Sequence, residues 1–436
     1  MKLNICLILA LLVSLKALRE YSNFHTIKLK DAESTVDNIE LIEEPIYGVS
    51  YKEGSVYISD EGTFIISGEL NGKLNVATGD KVVKLVLNGV NIKSDINAIA
   101  FEDGYELVDT VIDDDPYVIK KYDFNNAGAQ IIIADDSVNY LNGTEDGQKN
   151  GALFSNITLH ITGEEKGNGI LYVISGNEGK EVYKHLCISG GFVNIAADND
   201  GINSKTDKDS VLYIKGGKVL VNSGLGDEGD GIDGNGYILI EGGKIFSAAK
   251  PMADSGLDSN NGTFINGGIV YAVGTSMDMA EKESNQSTMN LIFEESVNET
   301  SCISIKQKGN DTEIIRYNAT EEEFINGTAR RNYIAAIVSH PSFKADNIYH
   351  VYMDGELLGY TSNDNPGPRP GPGPVPPGPP PGSNQLKDSE DKEIKIDFVL
   401  GPGATFYSGI QKYNIELYLK MSKSLFILFA LMILNI

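Results

Sequence analysis

The acidic side chains of this sequence are grouped rather than spread. Asp198, Asp200, Asp227, Glu228, Asp230, Asp233, Asp254 and Asp258 all fall in short stretches rich in Gly and Asn, and Asn203 lies among them. Oxygen donors in flexible turns suit Ca2+, which accepts about 6 to 8 of them. Carboxylates held close together repel one another unless something positive lies between. Asp198, Asp200, Asn203, Asp227, Asp230, Asp233, Asp254 and Asp258 therefore form the candidate metal-binding set. Asp, Asn and Gly are also the residues that turns prefer for their local backbone bonds, and that plainer reading stands beside the metal one. An EF-hand is excluded, because its first and last ligand positions would be Gly231 and Gly242, which have no ligating side chain.

A lyase acting on acidic sugars would need a cation near these turns to remove the proton beside the sugar carboxylate. Lys205 and Lys250 are the candidates, whereas Arg19, Arg316, Arg330, Arg331 and Arg369 all lie outside the acidic stretches. A carboxylate neighbour raises the pKa of a lysine, so structural pairing is the stronger expectation for both. His25, His160, His185, His340 and His350 form no motif, and no G-x-S-x-G nucleophile elbow is present. Whether the protein is an enzyme is left open by these residues, with binding favoured over cleavage.

Whatever positions these turns must repeat, and the sequence does. Ile188-Ser189-Gly190-Gly191, Ile214-Lys215-Gly216-Gly217, Ile240-Glu241-Gly242-Gly243 and Ile265-Asn266-Gly267-Gly268 are copies of one phrase at spacings of 26, 26 and 25. Each precedes an alternating run, such as Phe192 to Ile195 or Lys218 to Val221, with the period of two that marks a strand with one buried face. Gly201-Ile202-Asn203, Gly231-Ile232-Asp233 and Gly256-Leu257-Asp258 recur in step with them. A unit of about 25 residues cannot close a core alone, but stacked units bury a continuous apolar column, and this predicts a parallel β-helix. Stacking would bring equivalent turns about 4.8 Å apart. Weaker copies extend upstream through Phe64 to Gly68, Leu85 to Gly89 and Ile157 to Gly163, with an irregular insertion near 101–128.

The phrases Ile188-Ser189-Gly190-Gly191, Asn199-Asp200-Gly201-Ile202-Asn203-Ser204, Gly229-Asp230-Gly231-Ile232-Asp233 and Phe264-Ile265-Asn266-Gly267-Gly268 resemble the secreted carbohydrate-binding domain-containing protein family. The resemblance runs over about 55–360 and takes in Leu85 to Val90, Val338 to Pro341 and Tyr349 to Tyr352. It implies a polysaccharide-lyase-like right-handed parallel β-helix, Ca2+ binding, and attachment to plant cell-wall polysaccharide, notably polygalacturonate or pectin and also cellulose. It places the ligand role best on Asp200, Asp230 and Asp233; Ser255 stands where the third copy would carry Asp. Ca2+ shared between protein and sugar carboxylates would reconcile an acidic ridge with an acidic polymer. With no Trp in the chain, apolar sugar faces would have to meet Tyr, for which Tyr47, Tyr51, Tyr57, Tyr105, Tyr117 and Tyr122 are candidates.

The expected fold class is thus all-β: a right-handed parallel β-helix over 51–275 with a small antiparallel β cap over 276–362. Residues 1–18 read as a signal peptide and 19–50 as a lead-in. Residues 363–384 are a Pro/Gly-rich linker, holding 10 of the 15 Pro and 5 Gly between 366 and 382. Residues 385–436 form an acidic tail ending in ten apolar residues, Leu425 to Leu434, half of what a helical span needs. That ending fits membrane or wall attachment through a cleaved lipid-anchor signal, or a short apolar tail without one. Eight N-x-S/T sequons, starting at Asn142, Asn156, Asn261, Asn285, Asn298, Asn310, Asn318 and Asn326, suit a secreted, extracellular glycoprotein. Cys187 and Cys302 are the two cysteines left beyond the signal, as a disulfide or as free thiols. The net charge of −25 excludes nucleic acid as a partner. A stiff surface adhesin or scaffold is the third functional class compatible with such a chain.

Overall fold

The computed structural model describes residues 23–108, 115–143, 151–206, 209–250, 254–275, 278–310, 312–318, 332–363 and 394–413. The expected signal peptide at 1–18, the Pro/Gly-rich stretch and the final apolar run lie outside the described residues.

Between Leu159 and Gly274 each sequence unit contributes three short strands, and equivalent strands of successive units pair in parallel. Leu159–Gly163, Leu186–Ile188, Val211–Ile214, Tyr237–Ile240 and Thr263–Ile265 form one ladder. Ile170–Ser175, Phe192–Ala197, Lys218–Asn222, Lys244–Ala248 and Ile269–Gly274 form a second. Lys180–Val182, Ile202–Ser204, Ile232–Gly234 and Leu257–Ser259 form a third. The first two belong to a 25-stranded sheet and the third to a nine-stranded sheet. Alternation turns one face of every strand inward. Ile161, Ile188, Ile214, Ile240 and Ile265 thereby share one apolar core with Val193, Val219, Ile245 and Val270 and with Ile202, Ile232 and Leu257.

The second glycine of the repeated phrase has a backbone reason. Gly217, Gly243 and Gly268 hold φ of 82°, 87° and 86°, which L side chains rarely adopt. A Cβ there would also stand 2.6 to 2.9 Å from backbone atoms of the preceding unit. Only glycine lets these corners stack.

The pairing corrects the expected architecture of a closed right-handed parallel β-helix with a separate antiparallel cap. The large sheet is mixed: Val270–Gly274 pairs antiparallel with Ala335–Ser339, which in turn pairs with Thr288–Ile292. The result is an all-β arrangement of two broad sheets sharing a core, layered as in a sandwich, with no closed helix. The repeated phrase specifies how equal units stack. It says nothing of how the sheets close or where antiparallel strands join them, and the backbone edge of Ile269–Gly274 recruits the later strands directly.

A second apolar cluster, with Phe246, Tyr271, Met289, Tyr333 and Tyr349, joins those later strands to the repeats. The folded body also continues past the Ser362 limit suggested by the sequence. Ala404–Lys412 pairs in parallel with Thr288–Phe293, and Tyr407 and Phe398 are fully buried. Within the 101–128 insertion, the short 3-10 turns Pro116–Lys121 and Phe124–Asn126 cover Cys187, Tyr213 and Leu239 on the outer side of the first ladder. Neither Cys187 nor Cys302 is in a disulfide, and Cys187 is buried. Among the described residues no helix is long and apolar enough to cross a membrane.

Candidate functional site

The third ladder carries the acidic groups. Its strands begin at tight Gly turns, and its short alternation points Ile202, Ile232 and Leu257 into the core while the residue after each faces away. The register is Glu181 to Asn203 to Asp233 to Asp258, each on the next strand. Three residues earlier the turns stack as well, because Gly179 N–H donates to Asp200 O at 2.9 Å and Gly201 N–H to Asp230 O at 3.0 Å. Glu178, Asp200 and Asp230 therefore form a second row beside the first, and Gly231 N–H donates to Ser255 O in the next copy.

Bonds within the rows tie copy to copy. The Asp200 carboxylate accepts from Asp230 N–H at 2.8 Å and from Asn203 Nδ2 at 2.8 Å. The Asp230 carboxylate accepts from Ser255 N–H, and that of Asp254 from Gly229 N–H at 2.9 Å. Burial and mutual repulsion raise the pKa of Glu178, Asp200, Asp230, Asp233 and Asp278. Burial, then the Asp258 charge, pushes Asp230 up to about 9. Burial, with Asp200 and Asp258, takes Asp233 to about 7. Asp278 is pushed to about 8 by burial and by its hydrogen bond with Asp258, and Asp200 is raised mainly by burial. Glu178 rises to about 8 through burial and Glu181.

One cation enters the rows. Lys205 Nζ lies 3.0 Å from Glu178 Oε1 and 3.5 Å from Glu181 Oε2, whose side chains are 4% and 0% exposed. Burial opposes its charge, but the two glutamates outweigh it and hold Lys205 above the ordinary lysine value. That makes it a poor base. Lys250 donates to Gly226 O instead and stands apart from the rows.

The structure thus divides the predicted set. Asp200, Asn203, Asp230, Asp233 and Asp258 belong to the two rows. Asp198 and Asp227 line an open surface cleft with Asn177, Asn199 and Glu228, and Asp254 braces the turn at Gly229. Glu178, Glu181 and Asp278 are acidic members that the sequence reading missed. A signal existed for two of them: Asn177-Glu178-Gly179-Lys180-Glu181 repeats the pattern of Asn199-Asp200-Gly201-Ile202-Asn203 with Glu for Asp.

As a site for a cation the rows offer hard oxygen donors. Glu178 Oε2, Glu181 Oε1 and Asn203 Oδ1 are buried without a hydrogen bond. Among the described residues, however, no three His, Cys, Asp or Glu side chains converge as a ready metal-holding group. A cation here would be held by donors from successive strands and would need oxygens from elsewhere to complete its shell.

Of the candidate tyrosines, Tyr47 is exposed and stacks on His25 at 4.5 Å. Tyr117 and Tyr122 pack against the apolar cluster under the insertion, Tyr51 packs on the main core, Tyr57 is half-buried on the strand Ser55–Ile58, and Tyr105 is exposed. They do not gather into one surface.

Residues 52–306 match the family model described as carbohydrate-binding domain-containing protein. A solved structure, the polysaccharide lyase-like protein from C. thermocellum in a gadolinium derivative, aligns at 22% identity and a TM-score of 0.40, over 56% of this chain and 90% of that one. A comparison with curated proteins found no match.

Proposed function

Because the chain belongs to the carbohydrate-binding domain-containing protein family, we propose that it binds polysaccharide, with acidic plant cell-wall polymers such as polygalacturonate or pectin as the substrate class and cellulose as the neutral alternative. The observation that carries the acidic preference is the pair of rows Glu178, Asp200, Asp230 and Glu181, Asn203, Asp233, Asp258. When ionised, such rows repel a polyuronate unless a divalent cation sits between protein and polymer. Ca2+ is the cation proposed. The sugar's own carboxylates would supply the oxygens that the rows lack, which suits donors spread along a ridge better than a closed cage.

Binding without cleavage is the reading favoured, because Lys205 is committed to Glu178 and Glu181. A secreted or surface-attached protein is proposed with it, and the exposed sequons at Asn285, Asn298 and Asn310 suit that setting. The test is retention of the whole chain on polygalacturonate with Ca2+ and with a chelator, while unsaturated ends are followed by absorbance. Ca2+-dependent retention of intact polymer supports the proposal. Unsaturated product would make the protein a lyase, and no retention in either condition would leave the scaffold reading.

A further inference from the structure

The second ladder presents a different surface. On Val138–Gly143 and Ile170–Ser175 the alternation sends Leu141, Leu171 and Val173 into the core, leaving Val138, Tyr140, Ile170, Tyr172 and Ile174 on the opposite face. Tyr140 and Tyr172 are register partners with rings stacked at 5.1 Å and 16°. Towards the later strands this face is covered: Asn194, Leu220, Phe246 and Tyr271, continuing the same row, are buried. Towards the earlier strands it is open, with Tyr140 38% and Val138 44% exposed.

The row continues from Tyr140 to Asn91 and then to exposed Glu69. The aromatic stack therefore ends on a short amide, and the ring face of Tyr140 away from Tyr172 lies on the Asn91 side. Lys93 stands beside this place in register with Asn142; it is exposed and makes no ion pair among the described residues. It also lines an open cleft with Glu53, Asn71, Lys73, Ser94 and Asp95, so a chain longer than one sugar has somewhere to continue. An aromatic face, an amide and an uncommitted ammonium suit a pyranose with one apolar face, ring hydroxyls and a carboxylate. Against Glu69, Glu53 and Asp95 nearby, Lys93 is the cation available to an anion here, since Lys73 pairs with Glu102.

We infer that Tyr140, Tyr172, Asn91 and Lys93 form a subsite for a uronic-acid ring, distinct from the carboxylate rows and needing no metal. This rests on the polysaccharide-binding reading above and adds a second point of attachment, so that a long polymer is gripped at two places.

The experiment is titration of the full chain with trigalacturonate in chelator, using protein made without N-glycans because the Asn142 sequon adjoins the subsite. Wild type is expected to bind. Tyr140→Ala and Lys93→Gln should each bind at least about tenfold more weakly with unchanged melting temperatures, and Tyr140→Phe, which keeps the ring face, should recover binding. Lys93→Gln should leave affinity for a neutral cello-oligosaccharide as it was, separating charge from stacking. If wild type is retained on polygalacturonate but Tyr140→Ala and Lys93→Gln bind trigalacturonate as wild type does, or wild type binds only with Ca2+, the subsite is refuted while the polysaccharide reading stands. No retention of wild type on any polymer, with or without Ca2+, overturns both.

Discussion

At the scale of single residues the protein buries ionisable groups where charge is costly. Glu178, Asp230, Asp233 and Asp278 keep their protons to about 8, 9, 7 and 8, far above their values of 4.5 or 3.8 in an unfolded chain. A carboxyl raised in this way favours the fold fully below its unfolded value, and the contribution is lost as pH climbs through the folded value. Metal-free protein is therefore expected to melt at progressively lower temperature between about pH 5 and pH 9, and added Ca2+ should recover most at the alkaline end. Thermal melts in chelator across that range check this, and a melting temperature that rises with pH would contradict it. Lys180 is the opposite case. It occupies an inward position between Leu153 and Ile202, is 0% exposed, and its Nζ has no hydrogen-bond partner, so burial drives its pKa well below the ordinary lysine value. Lys180→Met should raise stability by about 1 kcal/mol or more, because an unpaired polar head in an apolar column is replaced by an apolar side chain of similar length. Urea unfolding would measure it, and a loss of stability would mean that the amine has an interior partner.

At the scale of the element, the corners decide which strands can stack. Gly243 combines a φ of 87° with a would-be Cβ 2.8 Å from Gly217 O, and that neighbour is backbone, which cannot rotate away. Gly243→Ala is expected to cost about 2 kcal/mol or more, read as a fall of several degrees in melting temperature. Ala at Gly309, which has positive φ but nothing within 4 Å, should cost less. The repeated phrase made these corners legible, since the pattern Ile-x-Gly-Gly before an alternating run has few other uses. The carboxylate rows were half legible. Asp200, Asp230 and Asp233 recur in a phrase, but Glu178 stands 22 residues before Asp200, and Asp230 stands 30 after it, so the period drifts. Loops of unequal length absorb that drift while the strands stay in register.

At the scale of the whole molecule, the parallel repeats and the later strands are one body. Ala404–Lys412 completes the edge beside Thr288–Phe293, and Phe398 and Tyr407 fill the second apolar cluster. A chain ending at residue 384 should lose several kcal/mol, since each buried aromatic is worth about 2 to 3 kcal/mol. It should bind a hydrophobic dye at temperatures where the full chain does not; equal melting of the two would show the segment to be dispensable. The amino-acid sequence alone determined that the chain is all-β, built of stacked units of about 25 residues with acidic turns in step, because strand alternation and glycine corners are local rules that show in every copy. Only the tertiary structure decided the rest: two mixed-edge sheets instead of a closed helix, the return of the segment after the Pro/Gly-rich stretch, Lys205 set beside two glutamates of the preceding unit, and the pairing of Tyr140 with Tyr172. Each depends on contacts between residues distant in sequence. Their partners are chosen by edge hydrogen bonding and by what the core leaves uncovered, and neither leaves a periodic trace in the chain.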